Sequence, residues 1–103
     1  MRCPGIQYKN IPISDMLIRN AISYAIGLLD AGRTDQAIGM LLALVDDTDD
    51  WTCRFYLALA YFESGQLLAA RHQFVYITDK CPDIALRASA LNLLRTLCRS
   101  DVA

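Results

Sequence analysis

Apolar residues recur at spacings of three and four from residue 16 onward, which is the period of a helix lying against a core. The first run is Met16, Leu17, Ala21, Tyr24, Ala25 and Leu28. Ser14 suits the N-cap of this helix, and Asp15 lies in the first turn, where acidic residues are favoured. Gly32 suits the left-handed residue that ends many helices. The pattern therefore predicts a helix between about Ser14 and Gly32.

A second helix follows directly and ends in a run of acidic residues. Its apolar period is carried by Ala37, Met40, Leu41 and Leu44. Thr34 suits its N-cap, and the aspartates at 46, 47, 49 and 50 break the apolar period. A calcium loop is the alternative interpretation of these aspartates, but the run lacks the mid-loop Gly and the closing Glu of an EF-hand. Helix termination explains the run better, with Asp50 capping the next helix.

The same arrangement then occurs a second time. A third helix is predicted over about residues 51–64, with Gly65 as the turn, and a fourth over about residues 67–79. Asp83 suits the N-cap of a final helix over about residues 84–99. The sequence thus predicts two helical hairpins and one closing helix.

A shift of 33 residues superposes the two hairpins, with small residues on small ones and large apolar residues on large ones. The matched pairs are Tyr24 and Leu57, Ala25 and Ala58, Leu28 and Tyr61, Gly32 and Gly65, Ala37 and Ala70, Leu41 and Phe74, and Leu44 and Ile77. These matches in one register predict an internal structural repeat.

Composition fits one folded domain of 103 residues, since 54% are apolar and 20% charged. We expect a helical domain over residues 15–100 and an extended or flexible arm over residues 1–14, which hold Pro4, Gly5 and Pro12. A net charge of -1 gives no reason to expect a nucleic acid or an anionic membrane as partner. The longest apolar stretch, 37–45, is too short to span a bilayer. With no secretory signal visible, a cytoplasmic location is expected.

The candidate chemistry is sparse. Cys3, Cys53, Cys81 and Cys98 form no CxxC pair, and with a single histidine, His72, the sequence predicts free thiols and no metal site. No phosphate-binding loop, nucleophile elbow or HExxH motif occurs. We therefore expect no catalytic residue, no cofactor and no enzymatic activity, with His72 on the surface.

The second hairpin resembles a tetratricopeptide repeat. In that family, large residues, a small residue, a turn glycine, an alanine, an aromatic and a final proline recur at fixed offsets. The residues at those offsets are Leu57, Ala58, Tyr61, Gly65, Ala70, Phe74, Ile77 and Pro82. The resemblance covers residues 16–98 and implies an all-α fold, a right-handed α-solenoid fragment of two repeats plus a C-terminal capping helix. The first hairpin departs from the family at Asp49, where the proline would fall, and its period is one residue short of the usual 34.

The resemblance also implies which side chains face the concave groove of the solenoid. They are Ile22, Ile26 and Leu29, then Phe55, Leu59 and Phe62, then Ala88, Asn92 and Arg95. Most are large and apolar, so a contiguous patch of this kind is expected to be covered. An amphipathic helix of a partner protein fits such a groove. Family members that clamp a C-terminal carboxylate use lysine and asparagine here, and Ile22 and Ile26 exclude that function.

Two further occupants of the groove are open: the arm, through Ile6, Tyr8, Ile11 and Ile13, and a second copy of the chain. The expected function is a small cytosolic chaperone or adaptor for a short helical protein, similar in size and groove character to the needle-subunit chaperones of type III secretion. The alternative is a structural subunit of a larger assembly, or a homodimer, whose groove is permanently packed. Exposed Leu93 and Leu97 on the last helix would mediate that assembly.

Overall fold

The structure is a computed structural model that describes the backbone of residues 13–102 and the side chains of residues 16–97. Over this part of the chain it consists of helices without strands. The helices are α1 (Ile13–Asp30), α2 (Thr34–Thr48), α3 (Trp51–Glu63), α4 (Leu67–Lys80) and α5 (Ile84–Val102). Helix α1 begins inside the segment predicted as an arm, and residues 1–12 of that segment lie outside the described residues. The prediction of an all-α fold is confirmed.

The helices pack in chain order. Each helix contacts mainly the one before it and the one after it, and weaker contacts join α1 to α3 and α3 to α5. The linkers are three residues or fewer between consecutive helices, which places consecutive helices side by side. The odd-numbered helices α1, α3 and α5 therefore lie next to one another as a row.

The residues that begin and end the helices are those that the sequence predicts, with one exception. Gly32 and Gly65 have φ of +81° and +85°, the left-handed conformation predicted for them. Asp50 accepts a hydrogen bond from the backbone N–H of Cys53 at 3.1 Å, and the predicted cap is confirmed. Asp83 likewise accepts a bond from the backbone N–H of Ala85 at 2.9 Å.

Thr34 is not an N-cap, and that prediction is wrong. The turn after α1 is tight, because the N–H of Arg33 donates to the carbonyl of Leu28 at 2.8 Å. Arg33 thereby becomes the cap residue of α2, without a side-chain bond, and Thr34 is already helical. Ser14, the predicted cap of α1, has a side chain outside the described residues.

Two apolar clusters form the core. The first joins α1, α2 and the second half of α3, and the second joins α3, α4 and α5. Three of the pairs matched by the 33-residue shift are fully buried at both positions: Ala25 and Ala58, Ala37 and Ala70, and Leu41 and Phe74. Alanine at such places lets two helices approach closely, and a larger side chain would overpack the contact.

Other matched pairs differ in burial, most of all Tyr24 and Leu57. Tyr24 is 62% exposed, whereas its equivalent Leu57 is 1% exposed. Leu57 packs in the cluster that α2 builds with Ala37 and Leu41. No described helix precedes α1, so the corresponding face of α1 has no such neighbour.

A polar and aromatic cluster joins the α2–α3 turn to α4, and Arg54 is at its centre. The Arg54 guanidinium donates to Gln73 Oε1 and to Asp49 Oδ1, both at 3.0 Å. It also lies 4.5 Å from the ring centroid of Tyr76, which stacks on Trp51 at 5.6 Å. Asp49 has φ of +55°, a conformation that aspartate tolerates better than most residues. This left-handed residue makes the short turn between the two hairpins.

Candidate protein-binding groove

The predicted groove residues of α1 form one stripe along that helix. Ile22 and Leu29 are 8% and 9% exposed, and Ile26 between them is half-buried. Ile22 and Leu29 would therefore gain little further burial from a partner. Ile26 is the member of this group with apolar surface still open.

A pocket of about 410 Å³ lies where α1 meets the start of α3. It is lined by Ile18, Arg19 and Ile22 from α1 and by Asp50 and Thr52 from the α3 end. Ile18 and Ile22 are one helical turn apart on the stripe that continues to Ile26. Of the predicted groove residues of α1, the structure thus brings Ile22 together with the beginning of α3.

The α3 residues of the prediction, Phe55, Leu59 and Phe62, are all half-buried. They pack against the second apolar cluster, and the Phe55 ring meets Phe74 of α4 edge to face at 6.0 Å. These side chains therefore hold α3 on its neighbours with one edge and leave the other edge open. We call the predicted groove positions of these two helices, Ile22, Ile26, Leu29, Phe55, Leu59 and Phe62, the α1–α3 face.

The α5 residues of the prediction, Ala88, Asn92 and Arg95, are all exposed. Ala88 lines a separate pocket of about 330 Å³ between α4 and α5. That pocket also includes Thr78, Ile84 and Leu91, and Ile84 is 78% exposed. The structure does not bring Ala88 into the pocket between α1 and α3. A role of these three residues in binding a partner stays a prediction.

Leu97 was expected on the surface of the last helix, and the structure overturns that expectation. Leu97 is 1% exposed and lies in the second apolar cluster, against which Leu93 also packs. Ala90, Leu94 and Leu97 follow one another at spacings of four and three, so they share the face of α5 that packs on the preceding helices. Leu97 is therefore core and is not available to an assembly partner.

The outer face of α4 is a feature that the sequence analysis did not single out. Leu68 is 78% exposed, Val75 47% and Tyr76 40%. They line a shallow pocket of about 510 Å³ together with Arg71, His72 and Asp79. The signal in the sequence was a second stripe at spacings of seven and eight, opposite the buried stripe Ala70, Phe74 and Ile77. His72 is exposed, as predicted.

The two cysteines whose side chains are described, Cys53 and Cys81, are free and buried, as predicted. Burial and the nearby Asp50 carboxylate raise the pKa of the Cys53 thiol to about 11. A thiol held in the neutral form is a poor nucleophile and a poor metal ligand. Cys3 and Cys98 lie outside the described side chains.

The described residues form neither a cluster of metal ligands nor a membrane span. No three histidine, cysteine, aspartate or glutamate side chains in this part of the chain are grouped so that they could hold a metal ion. Across the same residues, none of the helices combines the length and the apolar character needed to cross a bilayer.

No protein-family model matches the sequence, no curated protein matches it, and no solved structure matches the chain. The resemblance to tetratricopeptide repeats therefore stays a prediction that rests on the residues themselves.

Proposed function

We propose that the described helices are two tetratricopeptide-like repeats and a capping helix, forming a fragment of a right-handed α-solenoid. Support comes from the complete burial of three residue pairs matched by the 33-residue shift and from the paired left-handed glycines at 32 and 65. Packing in chain order, with weaker contacts between α1 and α3 and between α3 and α5, is also what such a stack requires. In this arrangement the α1–α3 face belongs to the concave side.

We further propose that the α1–α3 face binds an amphipathic helix of a partner protein. The observation that carries this proposal is the half-burial of Ile26, Phe55, Leu59 and Phe62, together with a pocket that Ile22 lines where α1 meets the start of α3. Their inner edges are already packed, so their rotamers are held, and their outer edges are apolar. A surface organised in this way loses little side-chain entropy on binding and gains apolar burial. Apolar anchors at spacings of three and four on a partner helix match it.

The acidic C-terminal ends of α1 and α3 favour a basic residue on the partner. Asp30 and Glu63 are exposed at the ends of α1 and α3, and neither helix has a basic residue in its last turn. A helix C-terminus carries a partial negative charge, which these carboxylates reinforce. A partner helix with a basic residue toward this edge is therefore favoured over one with an acidic residue there.

Holding one helix of another protein is the activity of a small chaperone or adaptor, and we propose a cytosolic role of that kind without catalysis. In size and groove character the chain is similar to needle-subunit chaperones of type III secretion. A partner that binds only the folded chain would also stabilise it by mass action.

The test is a pull-down with the full chain as bait, followed by native mass spectrometry of the eluted complex. We expect a small helical partner at one copy per chain. Thr52 is exposed and lines the pocket, so Thr52→Arg fills the pocket without disturbing the core and should release the partner. Gln36→Arg, exposed on α2, is the matched control and should retain it.

Retention of the partner by Thr52→Arg would show that it binds elsewhere, and the proposed face would be wrong. A bait that elutes only with copies of itself, with Ile26 protected from exchange, would instead favour the structural subunit with a permanently packed groove. Circular dichroism of both variants establishes that helix content is unchanged, so that loss of binding reports on the face and not on unfolding.

A further inference from the structure

The outer face of α4 has apolar surface that no described residue covers. Leu68, Val75 and Tyr76 lie on one side of the helix, at 78%, 47% and 40% exposure. This side is distinct from the buried one, which carries Ala70, Phe74 and Ile77. Exposed large apolar side chains are common singly, but a stripe of them along one helix marks a contact surface.

Residues at equal distances on either side of Val75 are complementary in charge or polarity. Arg71 and Asp79, four residues to either side, carry opposite charges, and both line the same shallow pocket. Leu68 and Pro82, seven residues to either side, are both apolar and exposed. His72 and Thr78, three residues to either side, are both polar. Asp79 Oδ2 lies 3.9 Å from Lys80 Nζ, and both of these side chains are largely exposed to water.

This complementarity is what an isologous contact requires, since each residue there meets the residue at the opposite distance from the axis. We propose that a second copy of this chain docks on the outer face of α4, with the two α4 helices antiparallel and the twofold axis near Val75. Val75 meets Val75 of the second copy at the axis. Arg71 and His72 of each copy lie near Asp79 of the other, and Leu68 of each lies against Pro82 of the other. Antiparallel helices also place the opposite ends of their dipoles side by side.

The contact is small because a single helix from each copy supplies it. Interfaces below the usual 1,200–2,000 Å² are weak, so a readily reversible dimer is expected. Opposite charges across the axis fix the antiparallel register, because a parallel pairing would place Asp79 against Asp79. This surface is separate from the α1–α3 face, and the proposal stands or falls independently of the proposed function.

Sedimentation velocity of the full chain over a range from about 5 to 500 μM tests the proposal. We expect a reversible monomer–dimer equilibrium. Val75→Glu places two carboxylates face to face at the axis and should weaken the dimer at least tenfold. Leu42→Glu, at a residue of α2 with similar exposure (44%), is the matched control and should leave the equilibrium unchanged. A monomer throughout this range, or a dimer insensitive to Val75→Glu, would overturn the proposal.

A cross-linking experiment tests the register independently of affinity. Val75→Cys should form an intermolecular disulfide under mild oxidation. Neither Leu42→Cys nor the unmodified chain should form one as fast. Equal cross-linking of all three would refute an axis at Val75. Partner capture on the α1–α3 face should be the same for Val75→Glu and the unmodified chain, so failure of one proposal is distinguishable from failure of the other.

Discussion

Arg54 offers a test of how the two hairpins are joined, because one side chain contacts the α2–α3 turn and helix α4. We choose Arg54→Met, which keeps the apolar stem and removes the guanidinium. The side chain is 17% exposed, so its interactions are only partly screened by water. Arg54→Lys would keep the charge but lose the planar fork that reaches two acceptors.

The expected magnitude follows from the contacts. The bond from Nη1 to Gln73 is made by a charged donor and contributes about 1.5–3 kcal/mol. The pair with Asp49 contributes roughly 0.2–1 kcal/mol, because Asp49 is 74% exposed. The position of the guanidinium over Tyr76, at 4.5 Å, adds about 1–2 kcal/mol.

One term opposes these. Nε of Arg54 is buried without a hydrogen-bond partner, which costs about 1–3 kcal/mol and is relieved in the methionine variant. The net loss of stability expected for Arg54→Met is therefore about 2 kcal/mol.

The assay is urea unfolding followed by circular dichroism and by fluorescence of Trp51, the single tryptophan, which stacks on Tyr76. Arg95→Met, at an exposed position of α5, is the control and should change stability by less than about 0.5 kcal/mol. An Arg54→Met variant as stable as the unmodified chain, or more stable, would refute the reasoning. It would mean that the cost of desolvating the guanidinium exceeds what its three contacts contribute.

Three other changes have defined outcomes. Leu41→Ala, at a fully buried residue, should lower the free energy of unfolding by about 2–5 kcal/mol in the same urea assay. Gly65→Ala should lower the free energy of unfolding by about 1–2 kcal/mol, because φ of +85° is strained for alanine. Gly39→Ala, in the open interior of α2, should raise it by about 0.5–1 kcal/mol. Equal effects of the two substitutions in thermal unfolding would contradict the assigned turn. Above pH 9 the unfolded chain loses the Cys53 proton while the folded chain keeps it up to about pH 11, so stability should fall over that interval, and the fall should be smaller in Cys53→Ala.

The sequence predicted the helices because each hairpin combines a 3.6-residue apolar period with residues that begin or end a helix. Gly32, Gly65, Asp50 and Asp83 mark ends that depend on local backbone geometry alone, and all four behave as predicted. Thr34 failed because the N-cap of α2 is decided by how tightly the chain turns after Gly32. That turn is a matter of hydrogen bonds to α1, which the residue type at 34 does not encode.

Exposure was harder to predict than helix position. Leu97 and Leu68 are both leucines on helices, yet one is 1% and the other 78% exposed. Which face of a helix is buried depends on the helices around it. On α4 and on α5 the apolar period alone leaves two faces that could be the buried one. For the candidate site, the family resemblance supplied the groove positions, and the structure shows which of them, such as Ile26, still have open surface.

The contrast between Tyr24 and Leu57 has a consequence for the dynamics of the chain. Helix α3 packs against the helices on either side of it, whereas α1 lacks a described helix before it, so fewer apolar contacts oppose its release. Local opening is cheapest at such an element, and amide exchange should be fastest in α1 and slowest in α3. A ligand on the α1–α3 face would then slow amide exchange most in α1. Much of its binding free energy would be used to keep α1 packed on the helices beside it.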